Sequence, residues 1–209
     1  MTIPVFPSVY LPPAEYFSCL IGHEEIRIEN DEHYHRQSYR NRCYIYGPNG
    51  VQKLVVPVIH PGNDQKNIRD IRIDNTSRWQ KIHWRSLTAA YNKSPYFEYY
   101  EQEFMPFFDH PQQWLLASNM ELLGICLKLL RLSVKVSLTE NFSKDYPPAL
   151  DFRTKLLEKN TRNPERFPRY SQVFEPAHGF IPNLSILDLL FNRGNDAVSY
   201  LKTVNEVKA

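Results

Sequence analysis

Residues 42–58 have to fold back on themselves. Arg42-Cys43-Tyr44-Ile45-Tyr46 and Leu54-Val55-Val56-Pro57-Val58 are both rich in β-branched or aromatic residues, and Gly47-Pro48-Asn49-Gly50 separates them. Asn-Gly supplies the positive φ angles that a tight antiparallel turn needs, so the two runs are expected as the arms of a β-hairpin. Pro57 has no N–H to give to a ladder and belongs at a strand end or edge. The other strand candidates are separated from one another by helix candidates. That order gives the fold class as α/β (or α+β): a mixed sheet containing a β-hairpin, with several helices packed on it.

The flanking segments fill in this outline. Residues 3–6 start as a short strand that breaks at Pro7, and residues 14–21 read as a helix opened by Pro13 and closed by Gly22. Glu25-Ile26-Arg27-Ile28-Glu29 alternates as a half-buried strand does, and residues 68–73 alternate in the same way. Asp74-Asn75 is a plausible cap for a helix over 77–91. Pro95 opens a second helix over 96–104 and Pro111 precedes a third over 112–132, where Leu115, Leu116, Met120, Leu123, Leu127 and Leu130 form a core-facing stripe. Residues 134–138 read as a strand and 60–66 as a polar loop. The basic stretch 147–168 is expected to hold a helix, 184–191 a helix ending at Gly194, and 196–204 a short final one. With no linker or repeat, residues 1–209 are expected to form one domain.

Composition removes several function classes. Lys and Arg total 25 against 23 Asp and Glu, so no overall field draws the chain to nucleic acid or anionic lipid. Cys19, Cys43 and Cys126 are scattered, which fits neither a disulfide framework nor a structural zinc site. The start lacks a signal-peptide pattern, and the most apolar stretch, 114–132, is broken by Ser118, Asn119, Glu121 and Lys128. The expectation is a cytoplasmic protein with no membrane span. Glycine-rich phosphate loops and a nucleophile elbow are absent from the sequence, which names no cofactor.

Polar chemistry is densest in Asp31-Glu32-His33-Tyr34-His35-Arg36-Gln37-Ser38-Tyr39-Arg40-Asn41-Arg42, between two strands. In open α/β sheets ligands bind at loops leaving the carboxyl ends of strands, and the arginine fork suits phosphate or carboxylate. The segment therefore reads as an anion pocket, or as a solvated loop whose arginines pair with Asp31 and Glu32. His33 and His35 have no third ligand fixed by spacing, so no metal is expected. On the helix over 77–91, Trp79 and His83 share a face, and Lys81 shares another with Arg85. His83 reads either as a proton-transfer group or as a core histidine. Ser185, three residues before Asp188, reads first as a helix cap.

Several blocks together resemble the WbqC-like family. They are Tyr10-Leu11-Pro12 with Tyr16-Phe17, and Tyr39-Arg40-Asn41-Arg42 with the hairpin. Trp79, Lys81, His83 and Trp84 follow, then Ala90-Tyr91, Pro95-Tyr96-Phe97 and Asn119. The last are Tyr170-x-Gln172 and Phe180-Ile181-Pro182-Asn183-Leu184-Ser185 through Asp188 to Asn192 and Gly194. The family takes its name from genes of O-antigen clusters, so the resemblance implies a role in surface polysaccharide synthesis, with a nucleotide sugar as small-molecule partner. Many members carry His-Gln-Pro after the first strand. Phe6-Pro7-Ser8 stands here instead, leaving Ser8 to offer a hydroxyl.

Two functional readings follow. In the first, the chain is a transferase modifying a nucleotide-activated amino sugar. His83 and Asp31 would be the catalytic groups. Arg40 and Arg42 would bind phosphate, and Tyr10, Tyr39 and Asn41 would orient the substrate. Ser8, His33, Trp79, Lys81, Tyr91, Asn119, Tyr170, Gln172, Asn183 and Ser185 would complete the binding set. In the second, the chain is a non-catalytic scaffold or binding protein of an envelope or polysaccharide assembly, in which His83 only packs.

Overall fold

The structure, a computed structural model, describes residues 2–59, 66–156 and 164–206. Three short strands form a parallel sheet: β1 (Val5–Phe6) pairs with β2 (Glu25–Ile28), and β2 pairs with β5 (Lys135–Leu138). Val5 opposes Arg27, and Arg27 opposes Ser137. Asp151 adds a parallel bridge on the far side of Val5. Helix α1 (Ala14–Leu20) makes the crossover from β1 to β2 that a parallel pair requires. Because all three strands run the same way, the segments that follow β1, β2 and β5 leave at one edge.

The hairpin is β3 (Arg42–Gly47) paired antiparallel with β4 (Gly50–Val55); Gly47 pairs with Gly50, so Pro48 and Asn49 form the tip, and the positive φ falls on Gly50 (94°), not on Asn49. The second arm ends at Val55, which places Pro57 beyond the ladder, where its missing N–H costs nothing. The long helices are α2 (Trp79–Tyr91), α3 (Phe97–Asp109) and α4 (Leu115–Leu129). A short α5 (Glu175–His178), α6 (Ile186–Arg193) and α7 (Ala197–Glu206) follow. α1 packs on α6 and α7, α2 on α3 and β3, and α3 on α4 and α6. Phe191 sits where three of these meet, with its ring 5.2 Å from Tyr91, 5.1 Å from Phe97 and 6.0 Å from Phe104.

Four expectations need correction. Residues 68–73 are not a strand: Ile68–Asp70 is a 3-10 turn, and Arg72 and Ile73 make single bridges to Trp114 and Val58. Ile68, Ile71 and Ile73 are the buried ones, so the spacing is three and then two, not a constant two. The third long helix begins at Leu115 because the preceding residues are extended: Ile73 N–H donates to Gln113 O and Leu115 N–H to Ile71 O. The helix expected in 147–168 is not found among its described residues, which hold turns at 153–156 and a 3-10 turn at Pro164–Arg166. Residues 157–163, and nearly all of the loop at 60–66, lie outside the described residues. Helix α3 runs past the expected end through Pro106 to Asp109.

Ser185 does cap α6: its hydroxyl accepts from Leu187 N–H at 3.4 Å. The helix closes at Gly194, with φ of 54° and a Cβ position only 2.6 Å from the Tyr96 ring. Gly22, after α1, has φ of 97° and open space around it. Gly194→Ala is expected to combine backbone strain with a clash, and Gly22→Ala strain alone. Urea denaturation should show the larger loss for Gly194→Ala; equal losses would contradict this packing.

Candidate functional site

The carboxyl edge of the parallel strands gathers much of the expected site. After β1 the chain turns through Ser8 and Tyr10 to Leu11, which is fully buried with φ of 41°, an unusual value for a leucine. Tyr10 N–H donates to Tyr39 O at 2.9 Å, joining this turn to the loop that follows β2. Asn119, reaching in from α4, staples the same two pieces. Its Nδ2 donates to Ser8 Oγ at 3.0 Å and to the Arg40 carbonyl at 2.8 Å. Asn41 Nδ2 in turn donates to Val56 O at 2.9 Å.

Within this loop Arg40 and Glu32 form a two-pronged buried pair. Arg40 Nε meets Glu32 Oε1 at 2.7 Å and Nη2 meets Oε2 at 2.6 Å, with the side chains 3% and 7% exposed. This corrects the expectation for Arg40: its fork is filled by Glu32 and is not open to phosphate. Asp31 is also engaged, by Arg69 at 2.7 Å and Asn67 Nδ2 at 3.2 Å. Of the pairing expected for a solvated loop, Arg40 with Glu32 is present but buried, and the arginine on Asp31 is Arg69, outside the loop. Burial raises the Tyr34 hydroxyl above its usual range, opposed by the charges of Arg42, Arg40 and Arg36. Arg42 is half-buried, and His33, His35 and Arg36 are exposed.

Tyr10 leads to a second group. Its hydroxyl lies 2.8 Å from His83 Nδ1, and the Trp79 ring stands edge-on to both, 6.4 Å from Tyr10 and 5.1 Å from His83. Trp79 Nε1 donates to Asn75 Oδ1. His83 is 3% exposed, and burial lowers its pKa from 6.5 to about 4, so the ring is neutral at physiological pH. Burial likewise pushes the Tyr10 hydroxyl well above its usual range. His83 and Asp31, each expected as a catalytic group, both sit in internal contacts, His83 with Tyr10 and Asp31 with Arg69 and Asn67. Lys81 is exposed on α2, away from the buried face of Trp79 and His83.

The C-terminal candidates form a third group around Asp188. Tyr170 Oη and Gln172 Nε2 donate to Asp188 Oδ2 at 2.6 and 2.8 Å. Tyr91 Oη faces the same carboxyl and accepts from Tyr46 N–H at 3.1 Å. Asn183 receives Glu15 N–H at 2.9 Å and returns Nδ2 to Glu15 Oε2, while Arg166 reaches Glu15 Oε1 at 3.1 Å. Tyr91, Tyr170, Gln172, Asn183 and Ser185 therefore serve packing, capping and hydrogen bonding around α6. Sequence reasoning missed Glu15 and Glu29, both buried. Glu29 holds Arg153 at 2.9 Å, Thr139 Oγ1 at 2.7 Å and Asp31 N–H at 3.0 Å. The signal for it was a carboxylate ending an alternating strand, with a partner far away in sequence.

Two predictions follow from this geometry. Breaking the Glu32–Arg40 pair strands one buried charge, so Arg40→Ala should cost about 3–5 kcal/mol, and Glu32→Ala/Arg40→Ala together less than the sum of the single losses. Additive losses by urea denaturation would contradict a coupled pair. The second concerns pH. Burial raises Asp188 from 3.8 to about 6, so its contribution to stability is complete below 3.8 and is lost as pH rises through about 6. His83, lowered from 6.5 to about 4, acts oppositely: its contribution is complete above 6.5 and is lost as pH falls through about 4. Each amounts to about 3 kcal/mol, and the windows overlap, so the two largely cancel. Asp188→Asn should therefore lose stability more steeply than wild type as pH falls from 6.5 to about 4. Parallel pH profiles for the two proteins would rule out the compensation.

The model of the WbqC-like protein family matches residues 8–146 and 138–200. The chain is 28% identical over 228 aligned positions to the uncharacterized protein Rv1507c of Mycobacterium tuberculosis (strain ATCC 25618 / H37Rv), covering 96% of this chain and 97% of that one. No solved structure matches. Among the described residues no helix is long and apolar enough to cross a membrane, and no group of three or more His, Cys, Asp or Glu could hold a metal ion. By the match across nearly its whole length, the chain belongs to the WbqC-like protein family.

Proposed function

We propose that this chain acts in surface polysaccharide synthesis of the O-antigen type, transferring a group to a nucleotide-linked amino sugar bound at the carboxyl edge of its parallel strands. The observation that carries this reading is the meeting of Ser8, Tyr10, Asn119 and the arginine-bearing loop 31–42 at that edge, which is where open α/β sheets take their ligands. The buried left-handed Leu11 adds to it, because strained backbone collects at ligand sites. Arg42, half-buried at the end of this loop, would supply positive charge for the phosphates, and His33 of the same loop is exposed. Tyr10 and His83 stand behind the edge, and proton transfer through them requires their mutual hydrogen bond to open.

The scaffold reading has its own support. His83 is neutral, almost wholly buried and already bonded, as a packing histidine would be. A thermal-shift screen with nucleotides, nucleotide sugars, acyl-coenzyme A, amino acids and divalent metals separates the two. A nucleotide sugar at a hundred times its dissociation constant should stabilise the protein by about 2.7 kcal/mol. The shift should vanish in Arg42→Ala. If no compound shifts the transition, the scaffold reading replaces the transferase.

A further inference from the structure

We propose that Ser8 and Asn119 form a subsite for one neutral hydroxyl group, which accepts a hydrogen bond from the Ser8 O–H and donates one to Asn119 Oδ1. Both residues are 2% exposed. Asn119 uses Nδ2 twice, toward Ser8 Oγ and the Arg40 carbonyl. A backbone carbonyl only accepts, so the carboxamide cannot be reversed without setting two oxygens against each other. Its Oδ1 is therefore a true acceptor, and within the protein it is buried with no donor. Ser8 Oγ receives the Asn119 N–H, which turns the serine proton elsewhere, and among the described residues no acceptor takes it. A buried donor and a buried acceptor thus stand on either side of one 3.0 Å hydrogen bond.

A hydroxyl fits this pair because it donates and accepts at once. An ion fits poorly: the buried carboxylate of the loop, Glu32, is already filled by Arg40, so a charge here would lie uncompensated away from water. The neighbouring asparagines repeat the pattern. Asn41 and Asn30 give Nδ2 to the Val56 and Thr139 carbonyls, and each leaves a buried Oδ1 with no donor. Unmet buried acceptors are rare in folded proteins and are ordinarily met by something bound. Two sources carry the right group: a sugar hydroxyl, which rests on the nucleotide-sugar reading above, or an ordered water.

The test is calorimetric titration of the full chain with UDP and with UDP-N-acetylglucosamine, for wild type, Ser8→Ala and Asn119→Leu, together with crystal structures that resolve ordered water. A sugar hydroxyl predicts that the sugar nucleotide binds about tenfold tighter than UDP, a margin that both variants lose. A water predicts an oxygen within hydrogen-bonding distance of both residues in wild-type crystals, lost in Asn119→Leu, with UDP and the sugar nucleotide alike in affinity or both unbound. If Asn119→Leu does not fold, Ser8→Ala still decides, because it keeps the Asn119 bond to the Arg40 carbonyl. Binding of both ligands with a ratio neither variant changes, and no oxygen between the residues, overturns the subsite while the nucleotide reading stands. No binding and no oxygen overturns both.

Discussion

The arrangement at the strand edge depends on the Glu32–Arg40 pair. Two charges taken out of water are tolerated only when geometry and hydrogen bonding are good, and here both prongs of the guanidinium are seated on one carboxylate. The pair draws the chain from Glu32 to Arg40 into a closed loop, with Ser38 accepting from Arg40 and giving its own hydroxyl to His35 O. With Arg40 fixed, its carbonyl becomes a stable acceptor for Asn119, and through Asn119 the turn after β1 is tied to the loop after β2. An ion pair that looked from sequence like surface chemistry is the internal support of the site.

The surrounding structure extends that support. Glu29, one residue beyond β2, binds Arg153, Thr139 and the Asp31 backbone, so the segments after β2 and β5 and the bridge at Asp151 share one carboxylate. Arg153 also lies 4.8 Å over the Phe142 ring. On the opposite side, Ser185 N–H donates to Tyr44 O and fastens the start of α6 to the hairpin. The Asp188 cluster then keeps α6 in place through Tyr170, Gln172 and Tyr91. Apart from exposed Lys81 and His33, the candidate residues build the edge, pack around His83 behind it, or brace the helix behind the hairpin.

Local signals were the most readable. The Asn-Gly hairpin, the Ser185 cap, the apolar stripe of the third long helix and the alternation of residues 25–28 each depend on residues within a turn or two of one another, and each is present. The strand expected at 68–73 failed because its backbone is recruited by residues 113–115 and Val58, partners that no local pattern encodes. The same limit governed the site. Arg40, Asn41, Asn119, Ser8 and Tyr10 were picked out as residue types, and they do meet. Which of them face outward was not legible, because the answer lies in Glu32 being close enough to occupy Arg40. Likewise His83 was readable as either a base or a core residue, and the hydroxyl of Tyr10, 73 positions away, engages it in the core.

The most direct test of a ligand site at this edge is amide hydrogen exchange with and without saturating nucleotide sugar. Segments that follow parallel strands exchange on their own opening equilibria, and a ligand seated among them slows those openings. The account predicts added protection confined to the turn after Phe6 and the loop from Glu29 to Arg42, with α3 and α7 unchanged. Protection centred on those helices, or none at the strand edge despite measured binding, would contradict it.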